Sequence, residues 1–305
     1  MQRQLLALAI GALVAMPAHT DEQADQAISA LLQGAAAEAK AAIDSGEAGW
    51  LSRTDISVDI QQDNKPSWSI ETIQPIYQSE GLTHTWFVQA RVAHADDDQT
   101  VNLGTGYRHL LADHSWLLGA NAWYDTSLDE SHYRYGLGLE ALGRYVDVRT
   151  NWYDAQSGVK TVRVNGAISD TEAALDGWDF SLEAPVPYLP WARVSWKTYE
   201  WDRSTATNIQ GNTLGIRASV TDNLDVTVGA TDDNTDNAQA FLTLSWAFDK
   251  PQGTEWTATG TGASRTAFQA RDLTKHTLDK VRRHHDIVIE KKTTGGAGIT
   301  IGRRN

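Results

Sequence analysis

The chain of 305 residues contains no cysteine. That excludes a disulfide scaffold, a thiolate-held zinc ion and a thiol nucleophile. Past its first twenty residues it also lacks any apolar run of roughly 20 residues, and its mean hydropathy is −0.41, so a bundle of transmembrane helices is excluded. Positive charge is in short supply. Lys and Arg number 26 against 39 Asp and Glu, a formal balance of −13, which repels phosphate backbones and sets nucleic acid aside as a partner. Phenylalanine is scarce too, at five, whereas Trp reaches twelve and Tyr nine. Trp and Tyr join an apolar ring to a polar atom and favour the boundary between water and lipid. Composition therefore leaves two classes: an acidic soluble β protein or an outer-membrane barrel.

The first twenty residues bear on the compartment. Arg3 precedes an apolar run from Leu5 to Met16, followed by small residues near Ala18 and Thr20 and then Asp21 and Glu22. This is the layout of a secretory signal, too short to span a bilayer, so residues 1–20 are read as a signal peptide and the rest as exported. Residues 21–50 are rich in Ala, Glu, Asp and Gln, with Ile28, Leu31, Leu32, Ala35 and Ala39 at helical spacing. They predict a periplasmic helical segment with a narrow apolar face.

From Ile56 to Phe248 the period changes from 3.6 to 2. Trp86, Val88, Ala90 and Val92 alternate with Gln89 and Arg91; Tyr133, Tyr135, Leu137, Leu139 and Ala141 alternate with Arg134, Gly136, Gly138 and Glu140. Twelve such segments follow one another, each near ten residues, an even count that suits a bacterial barrel. The last is Leu242, Leu244, Trp246 and Phe248, which reads as a closing strand. A soluble sandwich would alternate in the same way. Two features favour the barrel. Aromatic residues sit at the ends of the apolar faces (Trp68, Trp86, Tyr107, Trp116, Tyr124, Tyr133, Trp152, Trp178, Trp246), as in an interfacial girdle. The connections also alternate: long and acidic after odd segments, as in Asp154 to Gly177, and tight after even ones, as in Gly143-Arg144. Short periplasmic turns and longer outer loops produce that parity. The reading is a twelve-stranded antiparallel transmembrane barrel over residues 51–249.

The face opposite the apolar one carries both charges: Asp55, Asp59, Glu71, Glu140, Asp147, Glu183 and Asp225, with Arg91, Arg108, Arg134, Arg149, Arg193, Lys197 and Arg217. In a lumen such groups can pair, whereas on lipid each Arg or Lys would cost about 2–4 kcal/mol at mid-depth. Residues 250–305 then reverse the charge, with eleven Lys or Arg against five Asp or Glu, a balance of +6, while residues 21–249 carry −20. Arg265 to Arg283, including Arg271, Lys275, Lys280 and Arg282, predicts a basic helix of about five turns. Ile287, Val288 and Ile289 form a short extended run, and Thr293 to Gly298 a Gly/Thr linker.

Catalytic and metal chemistry find little support. No serine-centred elbow or phosphate loop occurs. His284-His285-Asp286 puts neighbours on opposite faces of an extended chain, and Asp232-Asp233 lacks the spacing of a calcium loop. His132, near Asp125 and Asp129, is the one rim pair that a hydrolase reading could use. The expectation is a protein without enzymatic activity, cofactor or metal.

Phe248-Asp249-Lys250-Pro251, followed by Leu278-Asp279-Lys280-Val281-Arg282-Arg283 and Ile287-Val288-Ile289-Glu290-Lys291-Lys292, resembles the end of the inverse autotransporter β-domain, the intimin/invasin family. His284-His285 stands where that pattern has Asn-Asn. Leu118-Gly119-Ala120-Asn121, Tyr135 to Glu140 and Pro187-Tyr188-Leu189-Pro190 fit the family's middle. The resemblance implies a twelve-stranded outer-membrane barrel of a Gram-negative cell. It implies a linker that re-enters the lumen partly as a helix, at residues 265–283, and leaves at Ile287 to Lys292. It implies a translocator and anchor of type V secretion, related to adhesins. Thirteen residues follow Lys292, too few for an immunoglobulin-like passenger domain. The implied partners are outer-membrane lipids and lipopolysaccharide, the barrel-assembly machinery and periplasmic chaperones, and a separate passenger or cell-surface ligand. A small pore plugged by its own tail is the alternative.

Overall fold

The computed structural model describes residues 51–304 except 63, 96–97, 130, 166–167, 205, 249–254 and 295–299. The signal peptide and the helix expected over 21–50 lie outside the described residues. After one 3-10 turn, Leu51–Arg53, the chain lays down β1 (Thr54–Gln61), β2 (Ser67–Gln78), β3 (His84–Ala95), β4 (Asp98–Leu110), β5 (Trp116–Ser127), β6 (Tyr133–Gly143) and β7 (Asp147–Ala155). A hairpin of β8 (Lys160–Asn165) and β9 (Ile168–Ala174) comes next. Then follow β10 (Gly177–Val186), β11 (Leu189–Trp201), β12 (Ile209–Ser219), β13 (Leu224–Asp233), β14 (Asp236–Ala247), β15 (Ile289–Thr294) and β16 (Thr300–Arg304).

Twelve of these strands close a barrel in the order β1-β14-β13-β12-β11-β10-β7-β6-β5-β4-β3-β2. Closure is made by β1 against β14, antiparallel, from Asp55 opposite Ala247 to Gln61 opposite Phe241. Phe248 falls one residue past β14 and packs on Trp246 at 5.1 Å between ring centroids. Period-two alternation becomes two faces. Leu103, Trp116, Leu137, Trp152, Leu214 and Val228 are exposed on the outside, while Arg108, Asn121, Arg134 and Asp147 are buried on the inside. An apolar exterior wrapped around a polar interior is stable only if the exterior meets lipid. Exposed Trp and Tyr lie in it, and exposed Trp86 is in tilted contact with half-buried Tyr107 at 4.8 Å. Not every Trp belongs to this girdle. Trp123 and Trp201 are buried inside.

Two differences from the sequence reading stand out. Residues 265–283 form no α-helix. Their one regular piece is a 3-10 turn, Leu273–His276, begun by the Asp272 carboxylate accepting from the Thr274 amide. The long connection after β7 also holds structure of its own. Strand β7 pairs directly with β10, so β8 and β9 leave the barrel wall and enter a separate sheet of order β16-β15-β9-β8.

Candidate functional site: a chain threaded through the barrel

The tail starts at the end of the barrel with the short turns. Its amides and carbonyls meet those turns in order: Ala258 donates to Ser219 (2.9 Å), Tyr188 to Ala267 (2.8 Å), and Arg271 to Arg144 (3.2 Å). At the other end, among the long loops, β15 pairs antiparallel with β9, from Ile289 opposite Ala174 to Thr294 opposite Ser169. Between these points the chain runs the length of the lumen.

Barrel side chains hold its backbone. Gln89 Oε1 accepts from the Val281 amide at 2.9 Å, and Arg108 Nη1 donates to the carbonyls of Thr277 (3.0 Å) and Asp279 (2.6 Å). Arg134 Nη2 donates to the His284 carbonyl at 2.6 Å, Asn102 Nδ2 to that of His285 at 2.8 Å, and the Tyr153 hydroxyl accepts from the His284 amide at 2.7 Å. This explains the missing helix. A helix would bond its own amides and carbonyls and fill a cylinder about 10–12 Å wide. Here the inward side chains occupy that width and satisfy the backbone themselves.

The tail's cations sit in layers. Near the short-turn end Arg271 donates to the Gly143 carbonyl at 3.0 Å and pairs with Asp147, and Lys280 pairs with Asp55. Arg282 reaches Glu183 at 2.6 Å. Glu183 also serves Arg193 at 2.5 Å, Arg217 at 2.8 Å and Arg149 at 4.0 Å. A cavity of about 170 Å³ remains here, lined by Arg53, Asp55, Arg217, Asp225 and Arg282 among others. Apolar contacts follow: Leu273 joins Leu110, Leu117 and Leu142, and Leu278 and Val281 join Ile73, Phe87 and Trp123.

The tightest layer surrounds Arg283. Its Nη1 and Nη2 both donate to Asp125, each at 2.7 Å. Arg134 donates to the same carboxylate at 2.8 Å, and Asp125 is fully buried. The Arg283 guanidinium lies 4.6 Å from the Trp123 ring centroid and 5.1 Å from that of Tyr153. Gly136 leaves room for it, since a Cβ there would stand 2.6 Å from Arg283 Nη2. Beyond this layer Asp286 pairs with Arg91 at 3.1 Å. Val288, with no exposed surface, fills a nest of Tyr153, Leu175, Tyr199, Trp201 and Ile209.

The inward-reading charges thus lie as follows. Asp55, Glu71, Arg91, Arg108, Arg134, Glu140, Asp147, Arg149, Glu183, Arg193, Arg217 and Asp225 engage the tail or one another. Asp59 accepts from Thr243 across the β1–β14 seam at 2.5 Å, and Lys197 shares the inward face with Arg193 and Tyr199. Of the tail residues, Arg271, Lys280, Arg282, Arg283, Ile287 and Ile289 pass through the lumen or fill its outer mouth. Arg265 and Lys275 are corrections. Arg265 is exposed at the short-turn end, and Lys275 pairs there with Glu255 at 3.2 Å, largely in solvent. Leu242, Leu244 and Trp246 lie on the lipid face of β14.

Asp125, Trp123, Tyr153, Asn102 and Gln89 complete the site. Their parity could have found them: each falls on the charged face of its segment. His132 faces neither Asp125 nor Asp129. Its Nδ1 lies 2.8 Å from Ser157 Oγ, and burial, then the Lys160 ammonium, pushes its imidazole below the ordinary value. His284 and His285 diverge onto Trp201 and Trp123, with centroids 5.0 and 5.7 Å away.

A closed barrel with a lipid-facing belt and a chain lodged in its lumen defines a class, the outer-membrane β-barrel proteins. Residues 7–285 match the inverse autotransporter β-domain, and the chain belongs to that family. It is 33% identical over 139 residues to a putative attaching and effacing protein homolog of Escherichia coli K12, covering 45% of each chain. It is 27% identical over 176 residues to Invasin of Yersinia enterocolitica, covering 55% of this chain and 20% of that one. The chain thus spans less than half the length of these curated relatives. In fold it is similar to a solved membrane-protein chain from a study of in-meso crystallization, with a TM-score of 0.64, 20% identity, and coverage of 78% of this chain and 99% of that one. The protein is placed in the outer membrane of a Gram-negative bacterium, embedded in its lipids. The short-turn end then faces the periplasm and the long-loop end the outside.

Proposed function

We propose that the protein is a translocator and anchor: its barrel carries the segment after β14 from the periplasm through the lumen and fixes it at the cell surface. The observation that carries this reading is the continuous path of residues 255–294, from the periplasmic turns to the pairing of β15 with β9 outside. Wall carboxylates Asp55, Asp147, Glu183 and Asp125 meet tail cations at successive depths and give the transit segment places to rest. Assembly would pass through periplasmic chaperones and the barrel-assembly machinery, and lipopolysaccharide would surround the outer leaflet. The relatives' names speak of attachment and invasion. For this chain, a surface ligand or a passenger held by the anchor extends the same reading, and no catalytic step is part of it. An epitope placed after Asn305 tests the reading. Antibody should reach it on intact cells, and an epitope found only after permeabilisation would refute export. A pore closed by its own tail is the second reading, favoured by the polar lumen and the cavity at its periplasmic mouth. Single-channel recordings of a chain lacking 265–305 decide it: a large rise in conductance supports the plug, and unchanged low conductance rejects it.

A further inference from the structure

The hairpin β8–β9 has no part in closing the barrel. Two strands alone are marginal in water, and β9 would present an unpaired row of amides and carbonyls outside the cell. In the structure β15 takes that edge over six residue pairs. The side chains match in register. Glu172 on β9 is 2% exposed, and Lys291 on β15 meets it at 2.5 Å. Thr293 donates to Asp170 at 2.7 Å, and Arg203 from the β11–β12 loop holds Glu290 at 3.0 Å. The Leu175 amide donates to the Val288 carbonyl at 2.9 Å, seating Val288 in its apolar nest. Residues 288–293 thus meet the barrel side through backbone pairing, ion pairs and an apolar contact in a single register.

We infer that the β8–β9 hairpin is a strand acceptor for the exported polypeptide, capturing the segment that emerges from the lumen in one register. The inference rests on the export reading. Threading has no nucleotide hydrolysis on the outer side to drive it, so its direction must come from free energy released once the chain is out. Capture by β9 supplies such a term: a segment paired, ion-bridged and plugged by Val288 no longer slides back. The captured strand then offers its second edge to β16, which pairs with it from Thr293 opposite Thr300 to Ile289 opposite Arg304. The acceptor therefore also seeds folding of the polypeptide beyond β15.

The test uses the full-length chain in cells, with an epitope after Asn305, and tracks its arrival at the surface by protease accessibility after a pulse of synthesis. Heat-modifiable gel migration reports whether each barrel has folded. Replacing residues 160–174 by a short Gly/Ser bridge should slow arrival in folded barrels roughly tenfold, the factor equivalent to about 1.4 kcal/mol of lost capture. Glu172→Lys should slow it as well, and adding Lys291→Glu should restore it. Arrival at the wild-type rate without the hairpin overturns the acceptor, as does a charge swap that restores nothing. A wild-type epitope that never reaches the surface instead refutes export itself.

Discussion

Arg283 and Asp125, 158 positions apart, meet in two hydrogen bonds of 2.7 Å inside the barrel, with Trp123 and Tyr153 flanking the guanidinium. This pair joins the tail to the wall at the level where Arg134 shares the same carboxylate. A planar fork that fills both oxygens fixes the tail's depth as well as holding it.

Removing Arg283 costs the tail both charged hydrogen bonds, while Asp125 keeps Arg134 and Asn102 as partners. Arg283→Ala should weaken tail seating by about 1.5–3 kcal/mol. Arg283→Lys should recover only part of this, because one ammonium cannot reproduce the fork. Urea titrations monitored by protease cleavage of the tail measure both. A wild-type midpoint for Arg283→Ala would contradict the assigned role.

Gly136 should tolerate no side chain while Arg283 is present. Gly136→Val is expected to lower stability by about 1–3 kcal/mol through crowding. The two sites share one contact, so the loss should shrink in an Arg283→Ala background. Additive losses in a double-mutant cycle would show that the close approach is not felt.

Two exposed apolar positions should respond differently to charge. Leu137 lies on the barrel exterior and Val162 on the outer hairpin, both exposed. Leu137→Arg should cost up to about 2–4 kcal/mol in refolding into lipid, and Val162→Arg should stay within about 0.5 kcal/mol of wild type. Equal effects would deny that the belt meets the bilayer.

The barrel was legible because each strand carries its own instruction. A segment such as Tyr133 to Ala141 sorts its residues onto two faces with no reference to the rest of the chain. Residues 265–283 carry no such local instruction. Their helical spacing is overridden by partners such as Gln89 and Arg108, 192 and 169 positions distant. The hairpin β8–β9 was hidden for the same reason: Val162 and Val164 alternate over too short a span, and the strand that completes β9 comes after the barrel has closed.

Acid should loosen the outer sheet. The hydroxyl of Thr293, then the Arg163 guanidinium, holds the Asp170 carboxyl below its ordinary value. Its contribution to β9–β15 pairing is therefore present above the usual carboxylate range near pH 4 and is lost as pH falls through the lowered value. Protection of the 289–294 amides, taken relative to their intrinsic exchange rate at each pH, should fall with acidification, and Asp170→Asn should weaken that dependence. Protection that rises as the pH falls would reverse the sign and contradict the pairing.

The absence of cysteine permits the most direct test of the central claim, that the chain passes from periplasm to surface through its own barrel. Single cysteines at Thr259, beside the periplasmic turn at Val220, and at Lys292, on the outer sheet, are treated with a membrane-impermeant maleimide on intact cells. Passage through the lumen predicts labelling of Lys292→Cys at once and of Thr259→Cys only after the outer membrane is opened. The reverse pattern, or protection of both until opening, would contradict it.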